Sequence, residues 1–307
     1  MNFKSLMATI AASALLVACD KQAPMDINEG KVKNVILMIG DGMGAQQIGM
    51  LEEYARRAPN SLYNQTGNET GLQKFAKAGH LGLSLTAPMG ADGNLVVDSA
   101  CSASQLASGV AAGSEMIGLD HEGNVVESIL EKAKKMGKAT GLISDTRITH
   151  ATPAAFAAHQ PHRSYENEIA QQLIESGSVD VLLSGGARHF LPSMIKTDAT
   201  AQAVMKELGA SKAIYKKSKR KDDRNLMLEA KDKYGFELAF DQQQLAKVSG
   251  NKVLGLFANS GMADGIAYSA CKQADSCTQP SLKQMTLTAL DVLSQDEDGF
   301  FLMIEGG

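Results

Sequence analysis

Tryptophan is absent, and aromatic residues make up only 5% of the 307-residue chain. A surface that stacks nucleobases or sugar rings is therefore not provided for. No basic excess is present either: 30 Lys and Arg stand against 34 Asp and Glu, for a net charge of −4. Nucleic-acid-binding domains usually show a strong excess of positive charge, so that class of partner is excluded. The apolar stretch near the N-terminus, Leu6–Val17, is too short to span roughly 30 Å of hydrocarbon as a stable helix. What remains is ordinary for a globular protein with a sizeable core, with 44% hydrophobic and 21% charged residues. The length allows one large domain or two small ones, and bulk disorder is ruled out.

The first residues read as a targeting segment. Lys4 supplies the positive region and Leu6–Val17 the apolar one, which makes residues 1–18 a signal peptide. Leu16-Val17-Ala18-Cys19 reads as a bacterial lipobox, with cleavage before Cys19 and lipid on its sulfur. A plain secretory signal with a chance cysteine is the alternative. The mature chain is thus expected to be exported, periplasmic and anchored to a membrane through Cys19. Residues 19–32, with Pro24, Asn28 and Gly30, read as a flexible tether, and residues 33–307 as the folded domain. Cys271 and Cys277 lie in a polar segment read as a loop, with five residues between them, and are expected to pair in an oxidising compartment. Cys101 has no evident partner and reads as a small buried residue.

Strand-length apolar runs alternate with helix-period segments. Asn34–Ile39, Leu95–Val97, Ala139–Ser144, Val179–Leu183, Val253–Phe257 and Phe300–Ile304 read as strands, the first of them buried. Helical spacing connects Val126, Ile129, Leu130, Ala133 and Met136, with Gly137 as a stop. Ser164 and Ser281 read as N-caps of two further helices. The pattern predicts an α/β fold, a three-layer α/β/α sandwich with a mostly parallel sheet. The basic run Lys216–Arg224 reads as a solvated loop.

In open parallel sheets, ligands gather at the carboxyl ends of strands. The first strand ends in Gly40-Asp41-Gly42-Met43-Gly44-Ala45. Its letters match a dinucleotide fingerprint, but a carboxylate inside the loop would repel a pyrophosphate. An Asp between glycines suits a metal better, because a carboxylate is a hard donor and glycine permits close approach. Asp98-Ser99-Ala100 opens a helix, where partial positive charge favours an alkoxide and a bound phosphate. No G-x-S-x-G elbow surrounds the serine, which disfavours a Ser-His-Asp esterase. On position alone Ser99 is equally an N-cap, and Ser102 competes with it as nucleophile. A third cluster runs from Ser144 through His150 and Thr152 to Arg163; Thr152 precedes a proline and is expected to be extended. An Arg suits bidentate phosphate recognition. The last strand ends in Glu305, again followed by glycines.

Taken together, Asn-Val-Ile-Leu-Met-Ile-Gly-Asp41-Gly-Met-Gly, Asp98-Ser99-Ala, His150-Ala-Thr152-Pro-Ala-Ala, Arg163 and Gly-Phe-Phe-Leu-Met-Ile-Glu305-Gly-Gly resemble bacterial alkaline phosphatases in order and spacing. The resemblance implies a phosphate monoesterase with two zinc ions and one magnesium ion. It implies that Ser99 is the nucleophile that becomes phosphoserine, and a ligand of zinc. Asp41 matches a carboxylate shared between a zinc and the magnesium, and Thr152 and Glu305 match magnesium ligands. Arg163 matches the guanidinium that grips phosphate, and His150 a residue beside the magnesium. A homodimer is possible by the same likeness. The physics agrees with such a site: phosphate monoesters hydrolyse so slowly unaided that enzymes accelerate them by up to ~10²¹-fold. Catalysis of this transfer is mostly positioning and neutralisation of charge.

One part of the pattern is missing. None of the six histidines falls in a zinc motif of the family, whose zinc-binding Asp and His residues follow the Glu305 motif. The chain is therefore expected to be the N-terminal part of such a domain and to lack turnover by itself. The alternatives are an exported metal- or anion-binding lipoprotein without catalysis, or a phosphodiesterase or sulfatase of the same superfamily.

Overall fold

The computed structural model describes residues 32–61, 63–64, 67, 69–84, 86–90 and 94–307. The signal segment, the lipobox with Cys19 and the tether as far as Lys31 lie outside the described residues. Six strands form one sheet: β1 (Val35–Gly40), β2 (Ala139–Arg147), β3 (Val181–Gly185), β4 (Glu237–Ala239), β5 (Val253–Leu256) and β6 (Phe300–Gly306). Their order is β1-β6-β2-β3-β5-β4, and every pairing is parallel. The helices are α1 (Ala45–Arg57), α2 (Gly71–Ala78), α3 (Ser99–Ser108), α4 (Ile129–Lys135), α5 (Ala151–Ala154), α6 (Glu166–Glu175), α7 (Ala199–Glu207), α8 (Leu226–Tyr234), α9 (Gln242–Leu245), α10 (Gly265–Gln273) and α11 (Leu282–Leu293).

The near-continuous apolar strands serve both faces of the sheet, because successive side chains point to opposite sides. Leu142, Leu182, Leu254, Phe301 and Met303 join one core with α3, α4, α5, α6 and α8. Ile143, Val181, Leu183, Val253, Phe300, Leu302 and Ile304 join a second core with α9 and α11. This is the expected three-layer α/β/α architecture. In the first core the rings of Phe156 and Phe301 stack at 6.0 Å. Ser281 caps α11 in a reciprocal capping box with Gln284, as its sequence position predicts.

Several expectations change. β1 forms, but Ile36 and Met38 are exposed, because β1 is the edge strand and the second core does not extend over that face of it. Leu95–Val97 is not a strand; its side chains are largely exposed and find no ladder partner. β4 is three residues long and was not visible as a periodic run. Tyr165 is the N-cap of α6, whereas the hydroxyl of Ser164 lies 2.9 Å from His162 Nδ1. The basic run is not simply solvated. Arg220 is buried and donates to Asp222 and to the carbonyl oxygens of Asn167 and His189, while Arg224 pairs with Glu175 and Glu229. Cys271 sits in α10 rather than in a loop, and it is paired with Cys277 with a Cα–Cα separation of 5.0 Å. Cys101 is buried and free, as expected.

One ion pair ties α4 to the segment that leads into the functional loops. His159 Nδ1 lies 2.8 Å from the Gly118 carbonyl oxygen and Nε2 lies 2.9 Å from Glu131. Both partners only accept, so the imidazolium satisfies both. Glycine is required at 118: φ is +59°, and a Cβ would fall 2.3 Å from the Ala158 carbonyl oxygen. Glu131 holds His159 above its ordinary value of 6.5, and the Gly118 carbonyl adds to this against burial. Burial pushes Glu131 up, but His159 and Ser128 prevail and hold it low. The contribution of His159 is therefore complete below pH 6.5 and is lost as pH rises through its raised folded value. On the acid side, the pair fails as pH falls through the lowered value of Glu131. His159→Gln is expected to cost roughly 1–2 kcal/mol at neutral pH and to flatten the alkaline limb of the Tm-against-pH curve measured by calorimetry. An alkaline limb of unchanged slope would refute the assignment.

Candidate active site

Because β6 lies between β1 and β2, the parallel register places Glu305 opposite Ile39 on one side and Ser144 on the other. Asp41 follows β1 and donates its N–H to the Gly306 carbonyl oxygen at 2.9 Å. Gly42, at φ +63°, lets the chain turn immediately beyond it. One ligand atom each of Asp41, His150 and Glu305 lie within 4.8 Å of one another, and among the described residues this is the single cluster of its kind.

Glu305 is fully buried. Its Oε2 accepts from the hydroxyls of Ser144 and Thr146, the latter at 3.1 Å. Its Oε1 has no hydrogen-bond partner. Burial pushes this carboxyl up, but the polar groups of His150, Ser144 and Thr152 around it outweigh burial and hold it below its ordinary value. At 3.9 Å, His150 Nδ1 is too far from Oε1 for a hydrogen bond, so its influence is electrostatic. A buried carboxylate oxygen without a partner is costly. Carboxylates beside a threonine hydroxyl are the donor set of a hard divalent cation such as magnesium. The residues present therefore fit that ion.

His150 caps α5 through its backbone, and its side chain makes no capping bond. Arg163 Nη2 lies 3.0 Å from His150 Nε2. A guanidinium only donates, so Nε2 accepts and the neutral ring carries its proton on Nδ1, toward Glu305. In that tautomer neither ring nitrogen has a lone pair free for a metal. Thr152 is helical, not extended, within α5. Pro153 is tolerated there because the N–H groups of a first helical turn have no intrahelical partner.

The serine is presented by α3. Asp98 is the N-cap, its Oδ1 accepting from Ala100 N–H at 2.8 Å and Cys101 N–H at 3.0 Å. With capping done by Asp98, the Ser99 hydroxyl is released from the backbone. Its Oγ accepts from Arg163 Nη1 at 2.8 Å. Ser102 instead donates to the Ser99 carbonyl oxygen at 3.4 Å, away from that arginine. Ser99, Arg163 and His150 thus form one chain of contacts that runs to Glu305 and Asp41.

Behind this chain lies a network that sequence reading missed. Glu166 accepts from Arg147 Nε at 2.8 Å and from the Thr149 hydroxyl at 2.7 Å. Ser144 and Thr146, two residues apart on β2, belong to the third cluster of the sequence, but no role was read for them there. Their spacing carries the signal, since residues i and i+2 of a strand share a face.

The geometry yields a metal test. In chelator, Glu305→Gln is expected to unfold at the same Tm as the parent chain or higher, because a buried unpaired charge is removed. Saturating magnesium should reverse the order by stabilising only the parent, by about 2.7 kcal/mol at one hundred times Kd. Equal magnesium responses in scanning calorimetry would dismiss the cluster as a cation site.

Set against known proteins, residues 32–307 match the family model described as alkaline phosphatase. Alkaline phosphatase 4 of Bacillus subtilis is 36% identical over 99% of this chain and 60% of its own length. Alkaline phosphatase 3 of the same organism is 33% identical over 91% of this chain and 52% of its own length. The crystal structure of Thermus thermophilus alkaline phosphatase superposes with a TM-score of 0.70 at 27% identity, covering 89% of this chain and 49% of that one. Alkaline phosphatase from the Antarctic bacterium TAB5 gives 0.63 at 26% identity, covering 89% of this chain and 65% of that one. A variant of the TAB5 enzyme has magnesium bound. The chain thus spans only part of each relative it matches.

Proposed function

The chain belongs to the alkaline phosphatase family, and on that premise we propose that its site serves phosphate monoester hydrolysis with Ser99 as nucleophile. The observation that carries this reading is the Arg163 guanidinium donating to Ser99 Oγ at 2.8 Å, at the N-terminal end of α3. Ser99 Oγ attacks phosphorus as the ester oxygen departs, giving a phosphoserine and the free alcohol. Water then cleaves the phosphoserine, returning the serine hydroxyl and inorganic phosphate. Arg163 turns both Nη groups toward the non-transferring oxygens, a charge-assisted pair suited to phosphate. The Ala100 and Cys101 N–H groups at that end of α3 are taken by Asp98, so Arg163 carries the positive charge offered to these oxygens.

Asp41, Thr152 and Glu305 would hold magnesium, which supplies positive charge beside the phosphate when bound. His150 orients Arg163 from the side facing that ion. Zinc is a different matter. His159, His162 and His189 are engaged with Glu131, Ser164 and Asn167, respectively. A zinc site normally draws on imidazole or thiolate ligands, and the described residues around Ser99 do not furnish that set. No step is assigned to zinc, and the 307-residue chain by itself is proposed to bind phosphate without turning esters over. The lipobox reading extends the proposal to an exported protein held at a membrane through Cys19.

Two measurements check this. Against a chromogenic phosphate monoester with added zinc and magnesium, the chain should show no rate above that of Ser99→Ala; clear Ser99-dependent turnover would overturn the proposed inactivity. Inorganic phosphate, titrated in magnesium, should bind the parent chain, and Arg163→Ala should weaken it by roughly ten- to a hundredfold, the range of a charge-assisted hydrogen bond. Unchanged affinity would remove Arg163 from the site.

A further inference from the structure

Glu115 is one of two non-glycine residues with positive φ among those described, at φ +61°. A residue of this size rarely adopts the left-handed region, and where it persists the surroundings hold it there. Here both of its backbone polar groups are held by the site. Its N–H donates to Asp98 Oδ2 at 2.9 Å, on the residue that caps the serine helix. Its carbonyl oxygen accepts from the Arg163 N–H at 2.8 Å.

The side chain continues the pattern. Glu115 Oε2 lies 3.8 Å from Arg163 Nε and 3.9 Å from His162 Nε2. Among the described residues, no other carboxylate lies within 4.0 Å of the Arg163 guanidinium. The three nitrogens of that group are thereby shared out: Nη1 to Ser99, Nη2 to His150, and Nε toward Glu115. An arginine on a long flexible stem loses aim unless its back edge is fixed as well as its front.

We propose that Glu115 is a positioning residue, its carboxylate steadying the Nε edge of Arg163 so that Nη1 stays on Ser99 and Nη2 on His150, with the remaining hydrogens of both turned to a bound phosphate. The inference rests on the reading of Ser99 and Arg163 as the phosphate site. It goes beyond that reading by assigning the aim of the arginine to a residue that touches neither the serine hydroxyl nor the cation cluster. A left-handed glutamate is poorly suited to its backbone, so the side chain and the fold make opposite demands at this position. That opposition gives the test its power.

Glu115→Gly relaxes the backbone, and Glu115→Gln removes only the charge. Inorganic phosphate is titrated in saturating magnesium by ³¹P NMR, and Tm is measured on the same samples. Glu115→Gly is expected to raise Tm while weakening phosphate three- to tenfold; Glu115→Gln should weaken it similarly with Tm unmoved. A residue that merely shapes the loop would give Glu115→Gly the higher Tm and parent-like phosphate affinity, and that result overturns the proposal, as does tighter binding in either variant. A readout independent of phosphate is the solvent exchange of the Arg163 Nε–H in ¹⁵N-edited spectra, expected to be at least threefold faster in Glu115→Gln; unchanged exchange also overturns it. Parent-like affinity in Arg163→Ala, or no phosphate binding by the parent, would instead refute the phosphate-site reading, and the exchange measurement then still decides whether Glu115 steadies Arg163.

Discussion

A carboxylate with no exposed surface and one unpaired oxygen sits at the carboxyl end of β6, and the rest of the site is arranged around it. Glu305 is held there by backbone pairing on both sides, β1 and β2, in a register that permits no lateral adjustment. A slip of one residue would turn Glu305 to the opposite face of the sheet. Parallel pairing of distant segments thereby joins Asp41, the loop following β2 and Glu305 into one patch. The hydroxyls of Ser144 and Thr146 satisfy one carboxylate oxygen and leave the other facing Asp41 and His150. The apolar surroundings of the sheet make the charge expensive, and the same burial would strengthen its attraction for a cation.

A partly buried carboxylate, Glu166, holds the loop that carries His150. Burial pushes Glu166 up, but His189, Arg147 and Thr149 together hold it far below the ordinary carboxylate range. The network joins the end of β2 to the first turn of α6, on either side of the segment from His150 to Arg163. Exposed pairs such as Arg57 with Glu53 or Lys135 with Glu127 have no comparable role, since solvent screens them. Rigidity is thus concentrated behind the site, where small displacements of Arg163 would otherwise weaken its contact with Ser99.

The architecture and the ligand-bearing strand ends were legible in the sequence because buried parallel strands leave long apolar runs, and those runs end in conspicuous Gly-Asp-Gly and Glu-Gly-Gly. Asp98-Ser99-Ala was legible as a helix start, but which of Asp98 and Ser99 does the capping is decided by side-chain geometry. Thr152 was misread because the pre-proline rule is a local preference, overridden where Pro153 falls in a first helical turn. The exposure of β1 was invisible, because an edge strand and a central strand carry the same apolar letters and differ only in their neighbours. Glu115 left no trace at all: nothing in a linear reading marks a glutamate as left-handed.

Charge balance around Ser99 shows why the cation cluster and the arginine act together. Asp41, Asp98, Glu115 and Glu305 all lie at or beside the site, and of these the Arg163 guanidinium lies near Glu115. Asp98 is neutralised in part by the N–H groups it caps, and Glu115 by Arg163 itself. Glu305 is offset only by the hydroxyl dipoles of Ser144 and Thr146 on one oxygen, and a phosphate dianion brought to Ser99 would meet its remaining charge and that of Asp41. A divalent cation held by Asp41 and Glu305 would supply the positive charge that offsets this repulsion, where reduced solvent screening makes each charge count. On the proposed reading, phosphate affinity and cation occupancy would be linked through Glu305, and the buried carboxylate that costs the fold stability would be the group that makes an anion site possible.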